Sequence, residues 1–250
     1  MRSAIITDIH GNLEALNAVL DDIEEAGVDR IVCLGDIVGY GADPQACVEV
    51  ISGLVDKGAI CIRGNHDDAV AAGVSGMSES AAKAMSWTQG QLDSTARTFL
   101  ARLPIAEMDG DVLFVHASAN DPQSWNYMLD PSDAFASWAA TDARLTFCGH
   151  THVPALFHTL SGALYTGKTL TFRPQPDVEV PLAPIRRYLA VIGSVGQPRD
   201  GNPSACWGLY DSDKSTLAWM RVPYDIDAAA DKIKAAGLPD RLWMRLKAGK

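Results

Sequence analysis

Short apolar runs that end in a polar motif, most of them bearing a histidine, recur along the first 152 residues of the chain. Residues 3–7 (Ser-Ala-Ile-Ile-Thr) read as a short buried strand. Asn12 follows as a helix cap. Leu13, Leu16, Val19, Leu20 and Ile23 then recur at helical spacing, and Gly27 is the stop. Residues 30–34 form a second strand. Asp43-Pro44 pairs a cap with proline at the first helical position and opens a helix to about Leu54. Residues 59–62 are a third strand. This strand–loop–helix alternation implies a parallel sheet, and open α/β sheets collect ligands at the carboxyl edge of their strands.

Residues 78–101 read as an amphipathic helix, and a helical cover over the site is expected at about 75–105. Beyond about 105 the pattern changes to closely spaced strands at 111–116, 144–149, 153–158, 163–167, 187–193, 205–210 and 216–222. Many lack a helix between them, so antiparallel or mixed pairing is expected there. The fold class that follows is α/β, an α/β/β/α sandwich of two facing mixed sheets flanked by helices, in one domain over residues 1–250. Residues 173–186 hold Pro174, Pro176, Pro181 and Pro184 and read as a stiff surface loop. The tail from Asp225 reads as two short helices around Gly237-Leu238-Pro239.

Apolar residues make up 47% of the 250 and charged residues 21%, a globular balance that argues against disorder. The net charge of −10 repels polyphosphate backbones, so no long nucleic acid is expected as a partner; a small phosphorylated substrate can still bind a local positive patch. Cys33, Cys47, Cys61, Cys148 and Cys206 are scattered, odd in number and without a CxxC pair. Buried thiols in a reducing cytoplasm are expected rather than a disulfide framework. The first residues enter a strand at once, leaving no room for a signal peptide, and no apolar run reaches the length of a membrane span.

The motifs at the strand ends are Asp8-Ile9-His10, Gly35-Asp36-Ile37-Val38-Gly39, Gly64-Asn65-His66-Asp67, Val115-His116 and Gly149-His150-Thr151-His152. Together they offer enough ligands for two metal ions side by side: Asp8, His10, Asp36, Asn65, His116, His150 and His152. Residues i and i+2 at a strand end point the same way, so Asp8 and His10 can share one metal. One carboxylate must tie the pair together, and Asp36 is the natural bridge. Only two of these ligands are charged, which leaves a cationic centre able to attract phosphate. Mixed nitrogen and oxygen ligation suits divalent transition metals, with manganese placed first and iron, zinc, nickel or cobalt also suited. Such ions lower the pKa of bound water towards about 7, which makes a nucleophile at neutral pH.

These motifs, in this order, resemble the calcineurin-like metallophosphoesterase family. Gly193-Ser194-Val195-Gly196-Gln197-Pro198-Arg199-Asp200-Gly201 is similar to its compact bacterial and archaeal branch, with phosphodiesterase-like and diadenosine-tetraphosphatase-like members. The resemblance implies Asp8, His10, Asp36 and His152 on one metal, and Asp36, Asn65, His116 and His150 on the other. It makes His66 a catalytic residue that reaches the phosphate and helps the leaving oxygen depart, not a ligand. The activity it implies is hydrolysis of phosphodiesters, nucleotides or dinucleoside polyphosphates, then phosphomonoesters, by a metal-bridging hydroxide. The alternatives are a phosphoprotein phosphatase and a non-catalytic scaffold of the same fold. The superfamily's protein phosphatases carry Asp and Arg three and four positions after the bridging Asp; here those positions are Gly39 and Tyr40.

Other residues read more plainly. His158 is a sheet-edge or surface histidine, and Arg63 and Arg199 are surface or supporting ion pairs. Gly193 to Gly201 either cradles phosphate or permits turns. Asn120, Trp125 and Tyr127 either wall the site or pack. Activity is expected to collapse in mild acid as the four ligand imidazoles take up protons.

Overall fold

In the computed structural model, which describes residues 1–73, 78–161 and 168–250, the first apolar run is β1 (Arg2–Ile6). Asn12 caps α1 (Leu13–Ala26) by accepting from the Ala15 N–H at 3.1 Å, and Gly27 ends it at φ 65°. β2 (Arg30–Cys33), α2 (Pro44–Val55), β3 (Ile60–Cys61) and α3 (Asn65–Ala72) complete the alternating half. β3 lies beside β2, and β2 beside β1, in parallel register.

The single helix expected at 78–101 is two, α4 (Glu79–Gln91) and α5 (Ser94–Arg102). Leu92 turns extended at ψ 134°, and the Asp93 carboxylate caps the second helix through the Ala96 N–H at 2.7 Å. Apolar periodicity runs through this break, so the periodicity conceals it while the cap residue marks it.

β4 (Ala106–Asp109) and β5 (Val112–Val115) form a hairpin through Gly110. α6 (Pro131–Ala139) follows and then β6 (Leu145–Cys148), β7 (Ala155–Leu160) and β8 (Leu170–Phe172). The strand expected at 163–167 falls outside the described residues. The proline-rich stretch is not all loop: β9 (Val180–Pro181) pairs antiparallel with β12 (Thr216–Val222) at a sheet edge, where a proline without an N–H is tolerated. β10 (Arg186–Val191), β11 (Ala205–Asp211), α7 (Ile226–Ala235) and α8 (Asp240–Ala248) complete the order.

The strands form two six-stranded mixed sheets, β3-β2-β1-β11-β12-β9 and β4-β5-β6-β10-β7-β8. Ile5, Val32, Leu34, Tyr210 and Trp219 of the first face Phe114, Phe147, Leu156, Ala190 and Ile192 of the second. The outer face of the first sheet is covered by α1, α2 and α5 through Leu16, Val19, Val48, Ile51 and Leu100. Ala134 and Trp138 of α6 cover the second through Leu113, Val115 and Leu189. The architecture is therefore an α/β/β/α sandwich. Among the described residues, no helix is long and apolar enough to cross a membrane.

Candidate metal centre

The carboxyl ends of β1, β2, β5 and β6 lie at one rim of the sandwich, and the motif residues follow them immediately. Asp8 and His10 are not extended continuations of β1. Asp8, His10, Asp36, His150 and His152 all have left-handed backbones, at φ 54°, 52°, 53°, 64° and 61°. Each such non-glycine residue costs about 1–2 kcal/mol, and the cluster marks a rim held in place by its surroundings. Asp8 and His10 still converge, as expected, but through turning rather than strand alternation.

The convergence is direct. Asp8, His10 and His152 bring ligand atoms within 4.8 Å of one another, as do Asp36, His116 and His150. His10, Asp36 and His66 form a third such group between them. Asp36 joins the two triads: its Oδ2 lies 3.7 Å from His10 Nε2 and 3.3 Å from His116 Nε2. Its Oδ1 is turned away and accepts from the His66 N–H at 2.8 Å. Asn65 Oδ1 lies 3.1 Å from His116 Nε2. All seven expected ligand residues are thus brought together.

The ring nitrogens test whether a cation fits. His10 Nδ1 donates to the Val38 carbonyl at 3.1 Å and His152 Nδ1 to the Gln197 carbonyl at 2.7 Å. Neutral imidazoles bonded in that way present bare lone pairs at Nε2, and the two Nε2 atoms face each other at 3.2 Å. Asp8 Oδ1 lies 3.2 Å from His152 Nε2, and it is buried with no hydrogen-bond partner. In the other triad His116 Nδ1 donates to the Leu34 carbonyl at 2.8 Å, while its Nε2, 3.2 Å from His150 Nδ1 and 3.3 Å from Asp36 Oδ2, holds a proton that a cation would replace. Acceptors converging on acceptors repel unless a cation lies among them, and backbone carbonyls that fix imidazole tautomers are the usual second layer of a metal site.

Burial sets the charges. Burial alone would raise the Asp8 and Asp36 carboxyls; the adjacent imidazoles, His152 for Asp8 and His116 for Asp36, outweigh it and hold both well below the usual range. Burial pushes His66 and His150 down to about 3 and His152 to about 4. His116 goes the other way: burial opposes its charge, but Asp36 and Asp8 prevail and raise it to about 10. A cation there must first displace the His116 proton.

His66 is 5% exposed and packs its ring 4.8 Å from His10 and 4.5 Å from Tyr40. Its Nδ1 is buried without a partner. A Cβ on Gly39 would collide with the ring where it lies, and glycine there supplies no side chain to orient it. Asp67 does not orient it either. Its Oδ1 accepts from the Ile37 and Val38 N–H groups at 2.9 and 3.3 Å, and its Oδ2 from the Gly64 N–H at 3.0 Å. This carboxylate ties the Asp36 loop to the Asn65 loop. Sequence reasoning missed that role; the signal was an acid three residues after Gly64, at the start of a helix.

The loop from Gly193 braces rather than cradles. Its N–H groups at Val195 and Gly196 donate to the Thr7 and Asp8 carbonyls at 3.0 and 2.9 Å, and Ser194 Oγ donates to the Asp8 carbonyl at 2.8 Å. Gly196 is required because a Cβ would collide with the Ile9 carbonyl. Arg63 forms the expected ion pair, with Asp68 at 3.3 Å. Arg199 does not: it donates to Gln197 Oε1 at 2.8 Å and lies over the Tyr40 ring at 5.7 Å. His158 sits on β7, one strand in from the edge, and accepts from Arg186 at 2.9 Å. Tyr127 stacks on His150 at 4.1 Å while half exposed, and Trp125 meets His116 edge-on at 5.9 Å, so both wall the site.

This is a binuclear metal-binding geometry consistent with a metal-dependent phosphoester hydrolase. The chain is 37% identical to a metallophosphoesterase from Sphaerobacter thermophilus, covering 100% of this chain and 99% of that one with a TM-score of 0.87. It is 36% identical to an uncharacterized protein of Methanocaldococcus jannaschii, over 99% of this chain and 98% of that protein. A hypothetical protein from Pyrococcus horikoshii shares the fold, with 20% identity, coverage of 100% and 98% and a TM-score of 0.81. Residues 1–214 match the calcineurin-like phosphoesterase superfamily domain, and the chain belongs to that superfamily.

Proposed function

We propose that the protein is a two-metal hydrolase of small phosphoesters, acting on phosphodiesters, nucleotides or dinucleoside polyphosphates ahead of phosphomonoesters. The observation that supports this reading most is Asp36, whose single free oxygen faces imidazoles of both triads. Asp8, His10, Asp36 and His152 would hold one ion, and Asp36, Asn65, His116 and His150 the other. When bound, the ions supply Lewis acidity and a water acidic enough to act as a nucleophile near neutral pH. Manganese is the metal proposed first; the mixed nitrogen and oxygen donor set suits iron, zinc, nickel and cobalt as well.

The chain's own residues do the rest. Asp36 and Asp8 are ionised and positioned without rearrangement. His66, uncharged because it is buried, serves as a neutral hydrogen-bond donor to the departing oxygen. Tyr127 offers a half-exposed aromatic face beside His150 for the organic part of the ester. Nothing at Gly39 or Tyr40 supplies the acid and arginine that a phosphoprotein phosphatase would place there.

The test is hydrolysis of bis-para-nitrophenyl phosphate, para-nitrophenyl phosphate and a nucleotide panel by manganese-loaded protein. Asp36→Ala is expected to abolish metal uptake and activity together. His66→Ala is expected to retain metal and lose about 10²–10³-fold in kcat, the range for removing one preorganised hydrogen-bond donor. Turnover of none of these substrates would overturn the reading, and loss of metal from His66→Ala would overturn the role of His66.

A further inference from the structure

Arg199 enters the rim from the loop between β10 and β11. Its guanidinium stacks on Tyr40, whose ring is 4.6 Å from that of His10 and 4.5 Å from that of His66. Its Nε is buried with no partner. The next residue, Asp200, is no partner, because it pairs with Arg221. The last turn of α8 is tied to the same loop, since the Gly201 N–H donates to the Gly249 carbonyl at 2.8 Å. Leu242 and Leu246 of α8 pack in the cluster that Tyr40 joins. Arg241 and Arg245 flank that buried stripe and, four residues apart, share one helical face. Burial, then the charges of Arg199 and Arg241, push the Arg245 guanidinium below its usual value.

Among the described residues, no carboxylate forms an ion pair with Arg199, Arg241 or Arg245, although ion pairs occupy many other basic side chains. The nearby Asp240 is engaged by Trp243 Nε1 at 3.1 Å. Arg199 and Arg245 are half-buried and Arg241 is exposed; like charges brought together without an acid among them repel one another until an anion joins them.

We propose that Arg199 and Arg245, with Arg241 at the outer edge, form a second anion site beside the metal centre that binds a phosphate other than the one hydrolysed. Resting on the phosphoesterase reading above, this narrows the substrate class to esters carrying at least two phosphoryl groups. Bidentate guanidinium–phosphate contacts give such a site its selectivity over a simple diester.

The probes are methylenediphosphonate, which cannot be hydrolysed, and methylphosphonate, titrated calorimetrically into manganese-loaded protein. The wild type is expected to bind the diphosphonate at least tenfold more tightly, the scale of one charge-assisted pair. Arg199→Gln and Arg245→Gln should each remove most of that preference, and Arg245→Lys should keep a larger part of it. The KM for adenosine diphosphate should rise more in the two glutamine variants than the KM for bis-para-nitrophenyl phosphate. Variants that retain the full preference, or a wild type without one, would overturn the proposal. Diphosphonate preference in a protein that hydrolyses no ester would instead remove the phosphoesterase reading and leave the anion site standing.

Discussion

An imidazole must be neutral to bind a cation, and burial already arranges that for His150 and His152, held at about 3 and 4. The expected collapse in mild acid therefore does not come from all four ligand imidazoles at once. His116 is the residue that competes. Held at about 10 by Asp36 and Asp8 against the effect of burial, it keeps its proton across the neutral range and must release it to a metal. Its raised pKa means that acid favours the metal-free form and that affinity climbs as pH rises. With other protons common to both proteins, the logarithm of manganese affinity in the wild type should climb more steeply than in His116→Gln. The difference should be about one per pH unit between roughly pH 5.5 and 7. Calorimetric titration across that range checks this, and equal slopes would show that His116 gives up no proton.

Between elements, the loops that follow β2 and β3 are joined by Asp67, which accepts three backbone N–H groups from Ile37, Val38 and Gly64. Burial, then the charge of Asp36, raises its carboxyl to about 7, so the brace is held at a cost. Asp67→Asn would put an amide N–H₂ against one of those N–H groups, and an unsatisfied buried donor costs about 1–3 kcal/mol. The expected result is an unfolding free energy lower by that amount, read as a lower urea midpoint at unchanged m, and weaker metal uptake, because Asp36 and Asn65 sit on the tied loops. An unchanged midpoint would count against the brace. This residue also shows what could be read in advance. The convergence of the seven expected ligand residues and His66 was legible because each lies in a local motif ending an apolar run. The braces were not, because Val38, Leu34 and Gln197 act through carbonyls that every residue possesses. The buried strands of the sandwich were legible for the same reason as the motifs. β4 and β9 are short and largely exposed; β4 owes its existence to its hairpin with β5, and β9 to β12, distant in sequence. α6 was missed although Asp130-Pro131 repeats the cap-and-proline signal of Asp43-Pro44.

Across the whole molecule, the centre joins two sheets that elsewhere meet mainly through their apolar faces. Asp8, His10, Asp36 and Asn65 follow strands of the first sheet; His116, His150 and His152 follow strands of the second. Each proposed ligand set draws on both, so each ion would tie one sheet to the other at the rim where the left-handed residues cluster. A ligand that binds only the folded state stabilises it by about 2.7 kcal/mol when present at a hundred times its Kd. Two such sites, in a chain of 250 residues, should raise Tm by on the order of 10 °C. Differential scanning calorimetry with manganese and with a chelator measures this directly. Asp36→Asn should lose most of the increment, because the shared carboxylate belongs to both sets. Trp219→Ala provides the contrast. Its side chain fills the space between the sheets and donates to the Val191 carbonyl at 2.9 Å, so its loss should cost about 3–5 kcal/mol whether or not metal is present. If manganese raised Tm equally in the wild type and in Asp36→Asn, the ions would be binding somewhere other than between the sheets.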